Sequence, residues 1–127
     1  MGSVGSAVWT VRLSAVAEAD FRQILGWTAE NFGSAQARTY ADSLSAALQD
    51  LTAGPAIIGV KARPEIAADI KTLHVARQGR KGRHFVMFRV ISVDGQNFID
   101  VLRLLHDSMD LKRHLPSDEP GSGKMQP

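Results

Sequence analysis

Cysteine is absent from the 127-residue sequence, which excludes a disulfide framework, a thiolate zinc site and a cysteine nucleophile. Long apolar runs are also absent, because no stretch approaches the ~20 residues that a bilayer-spanning helix requires. Residues 1–7 contain neither Lys nor Arg, which argues against a signal peptide. We therefore expect a soluble protein of the cytoplasm.

The sequence also lacks the spacings that are typical of metal and cofactor sites. Its histidines fall on different predicted elements, with no pair at i, i+4 and no accompanying carboxylate cluster. The glycines at Gly79 and Gly82 precede a predicted strand rather than a helix, so they do not form a phosphate-binding loop. We expect no metal and no cofactor.

What is present is an ordinary globular composition with an uneven distribution of charge. Apolar residues make up 44% and charged residues 22% of a chain long enough for one core. Residues 1–60 hold 3 basic and 5 acidic residues, whereas residues 61–116 hold 11 basic and 6 acidic ones. The second half therefore suits an acidic partner or nucleic acid, although a solvated basic surface explains the same charge.

Hydrophobic spacing predicts a strand followed by two helices. Residues 8–13 alternate as a strand does, and apolar residues then recur at helical spacing over residues 17–32 and 37–51. Gly33 is suited to the end of the first helix and Ser34 to the cap of the second. So short a link requires antiparallel neighbours, which is an αα-hairpin.

Three further strands are predicted in the second half, over residues 70–76, 83–91 and 98–105. The last two are joined through Asp94-Gly95, a strong hairpin signal. Residues 56–69 are predicted to form a loop with at most one helical turn. The fold class is therefore α+β, in the order β-α-α-β-β-β, with the helical hairpin on one face of a small, mainly antiparallel sheet. We expect a single domain over residues 8–116 with a short C-terminal helix, and disorder in residues 1–7 and 117–127.

Two of these strands carry apolar residues on both faces. Strict alternation places Ile99, Val101 and Leu105 on one face of the last strand, and Phe98, Leu102 and Leu104 on the other. A small sheet with helices on one side should instead alternate between apolar and polar residues. We therefore expect the second face to be covered by the C-terminal segment and by a partner protein. The alternative is a self-contained core.

A basic patch surrounds the turn between the predicted second and third strands. Thirteen residues without an acidic side chain contain five cations, which are suited to phosphates or to an acidic protein segment. A solvated hairpin turn gives the same pattern. The patch comprises Arg77, Arg80, Lys81, Arg83 and Arg89.

A second ionisable cluster follows the last predicted strand directly. Functional residues favour the ends of elements, where a rigid scaffold orients them. Histidine and arginine there are suited to acid–base chemistry on a phosphodiester. The structural alternative is that Asp107, Asp110 and Arg113 cap and pair a short terminal helix. The cluster comprises Arg103, His106, Asp107, Asp110, Arg113 and His114.

The chain resembles the RelE/ParE superfamily of type II toxins, and the ParE branch in particular, over about residues 8–116. The resemblance rests on the order of the strand and the helical hairpin, with Leu13-Ser14 and Ile24-Leu25-Gly26-Trp27 in the first part. It rests most on the segments 79–90 and 101–110 together with Arg113-His114-Leu115.

This resemblance implies a toxin that inhibits DNA gyrase, causes growth arrest, serves plasmid stabilisation and is neutralised by a cognate ParD-like antitoxin with a ribbon-helix-helix domain. Antitoxin contacts are expected at Trp27, Phe85, Met87, Leu102 and Leu104. Contacts to the target, and hence toxicity, are expected at Arg103, His106, Met109, Asp110, Arg113 and His114.

Two alternatives to a gyrase inhibitor stay open. A RelE-like, ribosome-dependent mRNA endoribonuclease would use His106 with Arg103, Arg83 and Arg77 as its catalytic groups. A degenerate toxin would serve only as the folding partner and corepressor of its antitoxin. A gyrase inhibitor needs a binding surface and no catalytic residue, so the enzyme class holds only under the nuclease alternative.

Overall fold

The computed structural model of the protein describes residues 9–109. The predicted ends of the domain at residues 8 and 116, the disorder expected in 1–7 and 117–127 and the predicted short C-terminal helix lie outside the described residues. So do three of the expected target contacts, Asp110, Arg113 and His114.

The first half of the chain forms a strand and a helical hairpin. Strand β1 covers Thr10–Leu13, helix α1 Ala15–Phe32 and helix α2 Ser34–Asp50, followed by a 3-10 helix at Leu51–Ala53. The Ser14 hydroxyl accepts a hydrogen bond from the Ala17 N–H (3.0 Å) and caps α1.

Gly33 makes the connection between the helices possible. It adopts φ +95°, a conformation that disfavours other residues. The expected cap at Ser34 is wrong: Ser34 is the first residue of α2, and Gly33 stands at the cap position without a side-chain hydrogen bond. A single residue therefore both ends one helix and begins the next.

The second half forms the rest of the sheet. Strand β2 covers Lys61–Ala62, β3 Ile70–His74, β4 His84–Val93 and β5 Gln96–His106. The hairpin at Asp94-Gly95 is confirmed, with positive φ at both residues (51° and 78°), as the common two-residue turn requires. The prediction of a loop for residues 56–69 is wrong at β2, which is too short to produce an alternating pattern.

The five strands found within residues 9–109 form one sheet in the order β1-β5-β4-β3-β2. Strand β1 runs parallel to β5, and the other neighbours are antiparallel. Two helices on a mixed sheet confirm the α+β class and the order of the predicted elements, with β2 added. Among the described residues, neither helix combines the length and the apolar character that crossing a bilayer requires.

A register shift in the β4–β5 pair changes which side chains face the helices. Met87 pairs with Arg103 and Phe88 with Val101, so Leu102 is an extra residue in β5. As a result Val101 and Leu104 both belong to the core beneath the helices, and Leu105 belongs to the opposite face. The strict alternation assumed for residues 98–105 is therefore wrong after Val101.

The opposite face is covered by the chain itself. Ile70, Met87 and Leu105 are buried there, packed by Ile66 and Ala67 from the segment between β2 and β3. Over this cluster, the segment between β2 and β3 supplies part of the cover that was expected from a partner or from the C-terminal segment. Since Met87 is 0% and Leu104 3% exposed, these two residues offer no surface to an antitoxin in this conformation.

Candidate functional site

An open groove of about 1280 Å³ lies between the helical hairpin and the end of the sheet, and we call it the hairpin groove. One wall comes from α1 and α2, and the other from the 79–84 turn and the residues that follow β5. None of the described residues that line it is acidic. It therefore brings together aromatic, basic and histidine side chains from both halves of the sequence.

The helix wall ends in an exposed aromatic pair. Trp27 is 59% and Phe32 65% exposed, and their rings meet edge to face with centroids 5.7 Å apart. Ile24 continues this wall toward the sheet. Large apolar side chains that remain this exposed beside a groove are typical of a protein-binding surface.

The opposite wall contains three members of the basic patch. Arg80, Lys81 and Arg83 line the groove, and the Arg83 side chain is 69% exposed. Arg80 also donates to Asp50 (Nη2 to Oδ2, 2.7 Å), so part of its charge is neutralised within the chain. The exposed cations of this rim are therefore Lys81 and Arg83.

The structure separates the other two members of the basic patch from the groove. Arg77 donates to Asp50 and to the Ile58 carbonyl oxygen. Arg89 forms an ion pair with Asp69. Three residues of the predicted patch therefore line the groove, and the other two contact groups elsewhere in the chain. The sequence alone does not show this division, because it depends on long-range contacts.

Three polar aromatic side chains in mutual contact, Tyr40, His84 and His106, form the floor of the groove. The Tyr40 hydroxyl lies 2.7 Å from Nδ1 of His84 and accepts a hydrogen bond from the Arg83 N–H (3.0 Å). His84 stands directly opposite His106 in the β4–β5 pair, and their rings lie edge to face at 5.3 Å. Helix α2 and both long strands thus meet at one point.

Burial determines the protonation states of Tyr40 and His84. Desolvation, reinforced by repulsion from His106, lowers the pKa of His84 to about 4. Burial raises the pKa of Tyr40 above its ordinary value. Both groups are therefore neutral near pH 7, and one hydrogen bond joins the Tyr40 hydroxyl to Nδ1 of His84.

Tyr40 and His84 line the groove although the sequence pattern did not indicate them as site residues. Tyr40 falls within the apolar helical spacing of residues 37–51, which predicts burial, and its ring does pack against the core. Its hydroxyl nevertheless extends beyond the core to His84. The signal was available in the residue type, because a buried tyrosine hydroxyl needs a hydrogen-bond partner.

His106, the last residue of β5, lies in the groove. Its Nδ1 accepts from the Ser108 N–H (3.2 Å) and lies 2.8 Å from the Ser108 hydroxyl oxygen. Met109, 43% exposed, follows on the same wall. Two of the expected target contacts are thus placed side by side at the groove.

Arg103, by contrast, serves the fold. It forms a bidentate ion pair with Asp20 of α1 (2.8 and 3.0 Å), and Asp20 also accepts from the Leu104 N–H (2.9 Å). Asp20 is 8% exposed, so the pair fixes α1 to the part of β5 that lies beyond β1. Arg103 does not line the groove.

Asp107 does not cap a helix within the described residues. It accepts from Nε2 of His74 (2.9 Å) and contacts Nε of Arg83 (3.3 Å). The His74 hydrogen bond, together with Arg83, lowers the pKa of Asp107. This carboxylate therefore joins three strands at the end of the sheet.

The remaining expected antitoxin contacts are dispersed. Trp27 lies in the groove, whereas Phe85 packs against His74 and Arg63. Leu102 packs against the cluster on the opposite face. Within residues 9–109, no group of three or more His, Asp or Glu side chains is placed to hold a metal ion.

Comparison with known proteins agrees with this architecture. The family model for the ParE toxin of type II toxin–antitoxin systems, parDE, matches residues 11–111. Comparison with curated protein sequences gives no match.

Three solved structures share the fold. They are a chromosomal ParDE toxin–antitoxin system from P. aeruginosa (TM-score 0.60, 22% identity, covering 80% of this chain and 98% of that one), the RelBE2 toxin–antitoxin complex from Mycobacterium tuberculosis (0.51, 20%, 78% and 98%) and a YoeB/ParE toxin from Agrobacterium tumefaciens (0.53, 9%, 76% and 96%). At these identities the likeness concerns the fold alone. The match to the family model covers most of the chain, and on that ground the chain belongs to the ParE toxin family of type II toxin–antitoxin systems.

Proposed function

We propose that the protein is a toxin that inhibits DNA gyrase in the cytoplasm and is neutralised by a ParD-like antitoxin. Membership of the ParE family and the likeness to a ParDE system support this proposal. The structural observation that carries it is the hairpin groove, in which an exposed aromatic wall faces a basic rim with no acidic side chain among the described lining residues. Such a surface is suited to binding a macromolecule, and inhibition by binding needs no catalytic group.

The antitoxin is proposed to dock in this groove. Its helix wall is suited to the apolar stripe of an amphipathic helix, and Lys81 and Arg83 are suited to acidic residues beside that stripe. Trp27 is the central contact on this proposal, because it is large, aromatic and exposed.

A matched pair of variants tests the docking site. Trp27→Asp should weaken antitoxin binding by about 30-fold or more, equivalent to ~2 kcal/mol for a central aromatic contact, measured by calorimetry. Val16→Asp is the control, since Val16 is also an exposed apolar residue of α1 (46%) but does not line the groove. Equal effects of the two substitutions, or none, would count against this site.

Expression without antitoxin tests the target. We expect growth arrest with filamentation and an SOS response, and purified protein should stabilise the cleaved-DNA complex of gyrase. Rapid loss of mRNA without an SOS response would refute gyrase as the target. Harmless expression would favour the degenerate toxin.

One observation favours the nuclease as the second candidate. His106, Arg83 and the Tyr40–His84 pair line the same groove, so proton-transfer and phosphate-binding groups lie together. Two residues expected of this alternative do not join them, because Arg77 contacts Asp50 and Arg103 contacts Asp20. His106→Gln should abolish the toxicity of a nuclease without unfolding the protein, and undiminished toxicity would exclude this candidate.

A further inference from the structure

A single carboxylate holds the end of the last strand. The Asp107 N–H donates to the Arg83 carbonyl oxygen (2.7 Å), which extends the β4–β5 pairing by one bond beyond His106. Its side chain accepts from Nε2 of His74 (2.9 Å) and from Nε of Arg83 (3.3 Å). We call this set of contacts the Asp107 clasp.

The donor in the clasp is fixed by the backbone. Nδ1 of His74 accepts a hydrogen bond from the Ala76 N–H (3.0 Å), so the ring hydrogen of the neutral imidazole must lie on Nε2. His74 therefore donates to Asp107 whether it is neutral or charged. The backbone N–H that fixes this tautomer belongs to Ala76, in the segment directly after β3.

The clasp joins two elements of the hairpin groove. Arg83 belongs to its basic rim, and Met109, two residues after Asp107, lies on its wall. Residues 106–109 form a turn, which is closed by a hydrogen bond from the Met109 N–H to the His106 carbonyl oxygen (3.0 Å). Asp107 itself is not among the residues that line the groove.

We propose that Asp107 is a positioning residue for the target-binding surface, which it sets by holding the Arg83 guanidinium and the turn that presents His106 and Met109 to the groove. This inference rests on the proposed function, because it assigns a role in binding the toxin's target. Asp107 acts through these neighbours and does not itself touch the target.

Substitutions at Asp107 and at its partner test this role. Asp107→Ala should increase amide hydrogen exchange at Met109 by at least tenfold and lower the potency of gyrase inhibition by at least tenfold. Asp100→Asn is the control, since Asp100 lies on β5 and forms an ion pair with Arg12 away from the groove. It should change neither quantity.

The His74 pair separates positioning from simple packing. His74→Gln retains an N–H donor for Asp107 and should keep potency within about twofold of the parent, whereas His74→Leu removes the donor and should reproduce Asp107→Ala. Equal loss of potency in both His74 variants would overturn the inference. Circular dichroism and thermal melting of each variant show whether it folds, and Asp107→Asn provides a milder substitution if Asp107→Ala does not.

The outcomes distinguish this inference from the proposed function. Faster exchange at Met109 with unchanged potency would overturn the positioning role and leave the gyrase proposal intact. Unchanged exchange at Met109 in Asp107→Ala would overturn the clasp itself. A parent protein that does not affect gyrase would refute the proposed function, and the assigned role with it, while the exchange data would still report whether the clasp holds the turn.

Discussion

The two faces of the sheet are covered in different ways. On one face the helices bury a continuous core, but beyond the end of that core the hairpin groove stays open beside Trp27. On the other face a short segment carrying Ile66 and Ala67 packs against the buried side chains of Ile70, Met87 and Leu105. The difference teaches that apolar strands alone do not mark a partner surface, because the chain covers one such face itself. The groove that we propose as the partner surface lies instead between the helical hairpin and the end of the sheet.

The largest expected effect tests whether the opposite face is closed. Met87→Ala should lower the free energy of unfolding by about 2–5 kcal/mol, since a fully buried methionine leaves a cavity when truncated. Trp27→Ala should change it by less than about 0.5 kcal/mol, because its ring is mostly exposed. Chemical denaturation measures both. If Met87→Ala lowered the free energy of unfolding only slightly, this face would be open, and the two faces would not differ as described.

The next effect concerns the ion pair that fixes α1 to β5. Arg103→Ala should cost roughly 2–4 kcal/mol of unfolding free energy, because it leaves the largely buried Asp20 carboxylate without its cation. Antitoxin affinity of the folded variant should be unchanged, since Arg103 lies outside the groove. A stable Arg103→Ala variant that loses binding would instead assign Arg103 to the partner surface.

A third test uses the buried histidine of the groove floor. The folded-state pKa of His84 is about 4 against an ordinary value of 6.5, so the unfolded chain binds more protons between these values. The stabilising contribution of neutral His84 is complete above pH 6.5 and is lost as the pH falls toward 4. After allowance for partial exposure of the ring, it amounts to roughly 1–2 kcal/mol.

His84→Gln isolates this contribution. In that variant the free energy of unfolding should vary less between pH 6.5 and 4 than in the parent. Asp107, whose pKa is lowered, is present in both proteins, so its contribution cancels when the two pH profiles are compared. Parallel pH profiles for the two proteins would contradict the account of the groove floor.

The smallest effect concerns the basic rim. Lys81→Glu should slow antitoxin association severalfold and weaken its dependence on salt, with little change in the dissociation rate, as expected for a charge at the edge of an interface. Lys61→Glu is the control, because Lys61 is exposed on β2 outside the groove. Stopped-flow measurements at two salt concentrations separate the rates, and identical behaviour of both variants would show that the rim has no special role.

The sequence was sufficient for those elements whose signals extend over many residues or use a specific turn. The stripes of α1 and α2 and the Asp94-Gly95 turn are of this kind. Strand β2 has two residues and no periodicity to detect. The extra residue at Leu102 could not be predicted either, because a bulge depends on pairing with β4 and not on the sequence of β5 alone.

The candidate site was predictable by residue type and less so by arrangement. Trp27, His106 and Met109 were singled out and do meet at one groove. Arg77 was expected in the basic patch and Arg103 among the target contacts, but each contacts an aspartate far away in sequence. Charge patterns along a chain show which side chains are cationic, whereas long-range pairing determines which of them face a partner.

The two tryptophans allow a direct test of the central claim that the hairpin groove is the partner surface. Trp27 lies in the groove, and Trp9 packs against the core beside Gly54, so each indole N–H gives a nuclear magnetic resonance signal from a different region. Addition of the antitoxin should shift the Trp27 signal and leave that of Trp9 in place. Saturable binding that leaves Trp27 unchanged would contradict the account.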